Sequence, residues 1–193
     1  PSAMIRVPIC SLDSILSNAY FQLAYSANHN FDYDRAIQNY RVLADSARFA
    51  RSTEARLVQR REDAIVNVAT ILEYQQQYAQ AAEYYRRLVA MTHDDATRMT
   101  AAYRIAEMSY KQRSWTTTIR DMQQFVERYR TQANSGELVM QALWRVVQAR
   151  RAHNEPDAAI RQSLQIVVDT FGRSGQAAGS FSAEYAAQAK FEL

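Results

Sequence analysis

The sequence predicts an all-α protein built from antiparallel helix pairs that stack on one another. Apolar and small residues recur three and four positions apart, as in Tyr20, Ala24 and Ala27, which is the spacing of one face of an α-helix. A ladder of five residues, a small one followed by others nine, twelve, sixteen and nineteen positions later, occurs four times. With four Gly and three Pro in 193 residues, the chain has little of the turn chemistry that β-hairpins need.

The repeated ladder explains why the helices pair and why the pairs stack. Two amphipathic helices joined by a short polar turn bury their apolar stripes against each other, and small residues let the two backbones approach closely. A single pair cannot bury both of its faces, so each pair has to cover its neighbour. The four ladders are Ala24, Tyr33, Ala36, Tyr40 and Leu43; Ala69, Tyr78, Ala81, Tyr85 and Leu88; Ala106, Trp115, Thr118, Met122 and Phe125; and Val147, Pro156, Ala159, Ser163 and Ile166.

The helix boundaries follow from capping residues and turns. Ser11, Asp32 and Ser114 are placed to cap helices, Asp94 and Asp95 suit a helix N-terminus, and Pro156 suits the first turn of a helix. The predicted helices cover about residues 11–28, 32–50, 52–76, 78–91, 95–113 and 115–130, and a fourth pair fills 136–171. The stretch GRSGQAAGS, residues 172–180, is expected to be flexible and to precede one more helix.

The predicted domain organisation is a single helical array. Residues 1–10 are expected to be a disordered lead-in that begins with a cloning remnant, Pro1–Met4. Residues 11–193 are expected to form the array, as a fragment of a longer protein. The repeats cover about 11–50, 53–91, 95–131 and 136–171, and a truncated fifth repeat covers 181–193.

The ladder resembles the tetratricopeptide repeat (TPR), most closely in Tyr78-x-x-Ala81-x-x-Tyr84-Tyr85-x-x-Leu88 and in the segment from Tyr33 to Leu43. The resemblance extends over roughly residues 18–171 in four copies. It implies a right-handed superhelical solenoid of stacked antiparallel helix pairs. The small residues of successive first helices lie 45, 37 and 41 positions apart, against about 34 in the usual repeat. The chain is therefore predicted to be a divergent, long-helix member of this family.

Two segments narrow the resemblance further. Residues 124–129 and 166–171, each followed by a polar loop and another small-residue helix, are similar to the bacterial cell-envelope branch of the family. This likeness favours the periplasm or cell envelope over the cytoplasm. It also implies a role in a multiprotein assembly for motility, secretion or outer-membrane biogenesis.

Composition limits the alternatives. The net charge is +3, with 21 Arg and 2 Lys among the basic residues, which does not by itself predict nucleic-acid binding. Cys10 is the single cysteine, so no disulfide can form within the chain. No run approaches the length of about 18–20 apolar residues that a membrane span requires.

Catalytic and metal-binding motifs are absent from the sequence. There is no glycine-rich phosphate loop, no G-x-S-x-G and no H-E-x-x-H. His29, His93 and His153 fall in or beside predicted turns without the spacing of metal ligands. Cys10 has no positioned base, and helix capping accounts for the pair of Asp94 and Asp95. We therefore expect no catalysis, no metal and no cofactor.

The resemblance assigns a partner-binding groove to the first helices of the pairs. Aromatic and charged residues on the face opposite the buried one have the composition of protein-recognition hot spots. This row is Phe21, Tyr25 and His29; Val66, Thr70 and Tyr74; Tyr103, Glu107, Tyr110 and Lys111; and Trp144, Gln148 and Arg151. The alternative for some of these rings, Trp144 and Tyr110 above all, is that they pack on a neighbouring pair or on the fifth repeat.

The predicted function is a non-catalytic scaffold for protein–protein interaction. Family members that clamp a C-terminal carboxylate use Lys and Asn where this chain has Phe21 with Tyr25, Val66 with Thr70, and Tyr103 with Glu107. An internal segment of a partner is therefore expected, and self-association through the open ends is a further expectation. One alternative is a nucleic-acid-binding helical array. The aromatic and acidic residues of the predicted groove argue against it. The other is an accessory domain of a larger enzyme.

Overall fold

A computed structural model describes residues 12–171 and 180–193, and these form ten α-helices and no β-strand. The all-α prediction is confirmed. The predicted cap at Ser11, the lone Cys10 and all but the last residue of the 172–180 stretch lie outside the described residues. The helices are α1 (Leu12–His29), α2 (Tyr33–Asp45), α3 (Ala47–Ala50), α4 (Ala55–Tyr74), α5 (Tyr78–Met91), α6 (Asp95–Lys111), α7 (Trp115–Tyr129), α8 (Gly136–Ala152), α9 (Asp157–Phe171) and α10 (Ser180–Glu192).

The chain divides into two compact units, Pro1–Gln76 and Gln77–Leu193. In the first unit, α1 and α2 form an antiparallel pair because a three-residue turn joins them, and α4 packs on both. The core of this unit includes fully buried residues from α1, α2 and α4: Ala24, Ala36, Tyr40, Leu43, Ile65 and Val68.

The end of α2 differs from the sequence-based expectation. The prediction extended this helix to about Ala50, but α2 ends at Asp45 and a separate short helix, α3, follows. Ser46 is extended, with φ −69° and ψ 128°, and its side chain accepts a hydrogen bond from the backbone N–H of Arg48. Ser46 therefore ends one helix and caps the next, as serine does at N-caps.

In the second unit, each helix from α5 to α10 packs on the next one along the chain. The first helices of successive pairs also touch, since α6 contacts α8 and α8 contacts α10. This is the packing expected of stacked helix pairs, and it assigns α10 to the position of a fifth first helix. The core of this unit includes Tyr103, Ala106, Met122, Phe125, Val147, Leu164, Val167 and Ala189.

The turns that follow α1, α4, α6 and α8 share one backbone feature. A residue with a left-handed conformation lies seven positions after the small residue of each ladder: Phe31, Gln76, Arg113 and Asn154, with φ between 56° and 61°. In three of these turns the next N–H donates to a carbonyl five residues back, at 2.9–3.0 Å, which is the Schellman arrangement of a helix C-terminus. The turn is therefore part of the repeat, although glycine, the usual residue there, is missing.

The turn at Arg113 yields a testable prediction. Replacing Arg113 with glycine should raise the free energy of unfolding by about 0.5–1 kcal/mol. A left-handed conformation costs a residue with a Cβ about 1–2 kcal/mol, and glycine avoids this cost. Part of the gain is lost because glycine also gives the unfolded chain more conformational entropy. Urea denaturation measures the change. Arg113→Ala is the matched control, since it removes the side chain and keeps the Cβ. An equal gain in the alanine variant would contradict the explanation.

In the first three repeats, four of the five ladder positions are buried, and the residue nine positions after the small one is half-buried; the burial loosens in the fourth repeat. The residues twelve positions after the small residue, Ala36, Ala81 and Thr118, are fully buried, whereas Ala159 is partly exposed. Ile166, at the end of the fourth ladder, is 44% exposed. Asp32 and Asp94 cap their helices with side-chain hydrogen bonds, but Ser114 makes none as a cap, and Pro156 lies just before α9.

Candidate functional site

The structure separates the predicted groove residues by exposure. The exposed residues are Tyr25, His29, Val66, Thr70, Tyr74, Lys111 and Arg151. The half-buried ones are Phe21, Tyr110 and Gln148, and the buried ones are Tyr103, Glu107 and Trp144. The exposed members therefore form the part of the row that a partner can reach. Tyr103, Glu107 and Trp144 belong instead to the packed interior of the second unit.

In the first unit, the row is an aromatic surface. The rings of Tyr25 and His29 lie 4.1 Å apart, and the rings of Tyr74 and Tyr33 lie 5.2 Å apart. Tyr25 is 48% exposed and Tyr74 is 72% exposed. Phe21, by contrast, packs its ring edgewise on the buried Tyr40, at 5.4 Å. Tyr25 and Tyr74 are the two predicted residues here that combine a large ring with open access.

In the second unit, the row is built around a buried carboxylate. Glu107 accepts hydrogen bonds from Arg104 of its own helix, at 2.8 Å, and from Arg145 of α8, at 3.3 Å. The Arg145 guanidinium also lies 4.5 Å from the centre of the Tyr110 ring and donates to Oε1 of Gln148 at 2.8 Å. These contacts link α6 to α8 and hold the side chains of Glu107, Tyr110 and Gln148 in place.

The local environment raises the pKa of two members of this cluster, Tyr103 and Arg145. Burial raises the pKa of Tyr103 to about 12, and the negative charge of Glu107 adds to the effect. Burial alone would lower the pKa of Arg145, but Tyr103, Glu107 and Tyr110 shift it above its usual value. Tyr103 therefore stays neutral and Arg145 stays charged at any physiological pH.

A small recess opens beside this cluster. It has a volume of about 230 Å³ and is lined by Tyr103, Gln141, Trp144, Arg145 and Tyr185. The rings of Trp144 and Tyr185 lie 4.9 Å apart at 30°, so Trp144 packs on α10, one of the two alternatives that the sequence left open. Arg151 of α8 forms an ion pair with Glu192 of α10. The hydrogen bond from Arg151 holds the pKa of Glu192 below its usual range.

Sequence reasoning missed Arg145 and Tyr185. A usable signal for Arg145 exists in the ladder, because Arg104 and Arg145 each lie two positions before the small residue of their repeat. Both arginines contact the same carboxylate, Glu107. Tyr185 had no such signal, since its repeat is incomplete.

The structure offers no arrangement for metal binding among the residues it describes, since no three His, Cys, Asp or Glu side chains there are grouped to hold an ion. His29 ends α1, His93 lies between α5 and α6, and His153 follows α8. None of the described helices is both long enough and apolar enough to cross a membrane.

Comparison with known proteins identifies the repeat. Residues 63–91 match the tetratricopeptide repeat family model. This segment is similar to one tetratricopeptide repeat. This match covers the second half of α4 and all of α5, which hold the ladder from Ala69 to Leu88. Tetratricopeptide repeats generally mediate protein–protein interaction and are typically non-catalytic.

A solved structure supports the fold over nearly the whole chain. A crystal structure of nearly identical TPR-like repeats, from a protein of Podosopora anserina described as a kinesin light chain, superimposes with a TM-score of 0.61. The sequences are 16% identical, and the match covers 91% of this chain and 86% of that one. At this identity the likeness shows the fold alone. No match was found among curated proteins.

Proposed function

We propose that this chain is a non-catalytic scaffold that binds an internal segment of another protein along its first helices. The observation that carries the proposal is the exposure of Tyr25 and Tyr74 on the predicted row. Large rings left open to solvent on a well-packed surface are the usual anchors of protein recognition, because covering them on binding is strongly favourable. In the second unit, the corresponding ring of the predicted row is the half-buried Tyr110, over which the Arg145 guanidinium lies.

The form of the partner follows from the residues that surround these rings. The positions that would clamp a free carboxylate hold aromatic, apolar or acidic residues, and the nearby Arg145 already contacts Glu107. A C-terminal carboxylate would therefore meet neither the donors nor the charge that it needs. An internal segment, extended or helical, requires neither of them.

The proposed setting is a bacterial multiprotein assembly at the cell envelope. Its support is the likeness of residues 124–129 and 166–171, at the ends of α7 and α9, to the envelope branch of the family. Fractionation of cells that make the full-length protein tests this setting. Recovery with the periplasm or the membranes is expected, and recovery in the cytoplasm alone would contradict it.

The binding proposal is tested by affinity capture with the full-length protein. The variant Tyr25→Ala/Tyr74→Ala/Tyr110→Ala should lose at least one partner that the wild type retains. The matched control is Leu12→Ala/Ile15→Ala/Phe191→Ala, which removes three exposed apolar side chains outside the row and should keep every partner. Circular dichroism and thermal melts establish that both variants fold. The proposal would be overturned if the variant with three alanines folds and keeps every partner. A salt-sensitive complex with RNA that requires the same three tyrosines would also overturn it.

A further inference from the structure

The second unit has two open grooves that the predicted row does not include. One lies across α6 between α5 and α7 and has a volume of about 390 Å³; the other lies across α8 between α7 and α9 and has a volume of about 440 Å³. We call the first of these the α5–α7 groove. Its lining includes Ile105 and Ala102, on a different face of α6 from Tyr103 and Glu107. It is thus a separate surface from the one proposed above.

The floors of the two grooves come from the same positions of the repeat. Ile105 and Val146 each lie one position before the small residue of their first helix. Phe125 and Ile166 end their ladders, and Val89 and Val126 lie twenty positions after a small residue. Apolar side chains at these three positions therefore recur beneath both grooves.

Phe125 and Val146 are buried, but the other members of these positions remain partly open. Ile105 and Val89 are half-buried, and Ile166 is 44% exposed. Removing apolar surface from water is favourable, so a partner segment that covers the open part of this floor gains affinity from it. The apolar residues immediately before Ala106 and Val147 thus line the two grooves.

The rim of the α5–α7 groove carries an excess of positive charge. Arg86, Arg120 and Arg128 line it together with one carboxylate, Asp121. Arg120 binds Asp121 at 2.9 Å, so the excess comes from Arg86 and Arg128. Arg86 pairs with Glu83 at 3.1 Å, but that pair is well exposed, and such pairs exchange partners at little cost. The Arg128 guanidinium lies 5.5 Å from the Tyr129 ring centre, at the edge of the groove.

We propose that the α5–α7 groove is a second docking site, which takes a partner segment with apolar side chains flanked by acidic ones. The apolar side chains cover Ile105 and Val89, and the carboxylates meet Arg86 and Arg128. The net positive rim is complementary to such a segment and opposed to a basic one. Single-stranded nucleic acid fits less well, because its bases need open aromatic faces for stacking and the rings here, Phe125 and Tyr129, are buried.

A labelled peptide tests the site directly. The probe is a fluorescein-labelled peptide with leucine and phenylalanine flanked by two glutamates on each side, and the readout is fluorescence anisotropy at low salt. Saturable binding is expected, and Arg128→Glu should weaken it about tenfold or more because a rim charge is reversed. Ile105→Ser should weaken it by removing part of the floor. Arg128→Gln, which removes the charge at similar size, replaces Arg128→Glu if that variant does not fold.

Three controls make the result specific. Arg161→Glu makes the same change in net charge at an exposed site on α9 outside the groove and should leave the affinity within about twofold. A peptide with lysine in place of glutamate should not bind. Tyr110→Ala should leave the peptide affinity unchanged, which separates this site from the proposed row, so either proposal can fail alone.

Four outcomes would overturn the proposal, and a fifth would assign the groove to another occupant. No saturable binding, equal weakening by Arg161→Glu, or equal binding of the lysine peptide would overturn the proposal. So would an RNA oligonucleotide that binds through Arg128 when the peptide does not. Sedimentation that reveals a dimer broken by Arg128→Glu would assign the groove to a second copy of the chain instead.

Discussion

Replacing Tyr40 with alanine should lower the free energy of unfolding by about 3–5 kcal/mol, the cost of deleting a large buried aromatic side chain. Tyr40 lies on α2, is fully buried, and receives the edge of the Phe21 ring. Its removal leaves a cavity where α1, α2 and α4 pack together. Chemical denaturation monitored by circular dichroism measures the loss.

Tyr40→Phe is the matched control for this prediction. The Tyr40 hydroxyl is buried and has no hydrogen-bond partner among the described residues, so its removal should cost nothing and could add up to about 1 kcal/mol. Burial, with Tyr25 and Asp63 adding to it, raises the pKa of Tyr40 from 10.0 to about 12. The unfolded chain therefore ionises first, and between pH 10 and 12 the wild type should lose more stability than Tyr40→Phe. A large loss in Tyr40→Phe would contradict the packing described for this ring.

Removing the Glu107 carboxylate is the second large effect that we expect. Glu107→Ala should lower the free energy of unfolding by about 2–3 kcal/mol, because it leaves Arg145 without its buried partner. The figure lies below the 3–5 kcal/mol typical of fully buried pairs, since the Arg145 side chain is 31% exposed and keeps part of its hydration. Thermal and chemical denaturation measure the change.

A double-mutant cycle with Arg145→Ala isolates the pair. Because Glu107 and Arg145 are in contact, we expect a coupling energy of about 1–2 kcal/mol. Arg104 also contacts Glu107, so Arg145→Ala alone should cost less than Glu107→Ala. Additive effects of the two substitutions would show that the contact between α6 and α8 is energetically unimportant.

The fold could be predicted from the sequence because its determinants are local and repeated. Helical spacing, capping by Asp32 and Asp94, and the small residues at fixed offsets each act within one helix or one pair. The left-handed turn residues escaped prediction because Phe31, Arg113 and their counterparts are not the glycine that usually marks such turns. The break at Ser46 was missed because a serine inside a helical pattern reads equally well as an exposed helical residue.

The candidate site was less predictable because exposure depends on residues far along the chain. Glu107 is buried because Arg145, 38 positions later, lies against it. Trp144 is buried because Tyr185 of α10 covers it. Helical periodicity places a side chain on a face but does not say what stands opposite that face. Tyr25 and Tyr74 remain exposed, with no described element placed over them.

Site-specific photo-cross-linking in cells tests the proposed docking surface most directly. A photoreactive phenylalanine analogue is placed at Tyr25, Tyr74 or Tyr110 of the full-length protein, and at Leu12 or Phe191 as exposed controls. We expect one and the same protein to be cross-linked from at least two of the three tyrosine positions and from neither control. Cross-links of equal strength from the controls, or none from the tyrosine positions, would contradict it.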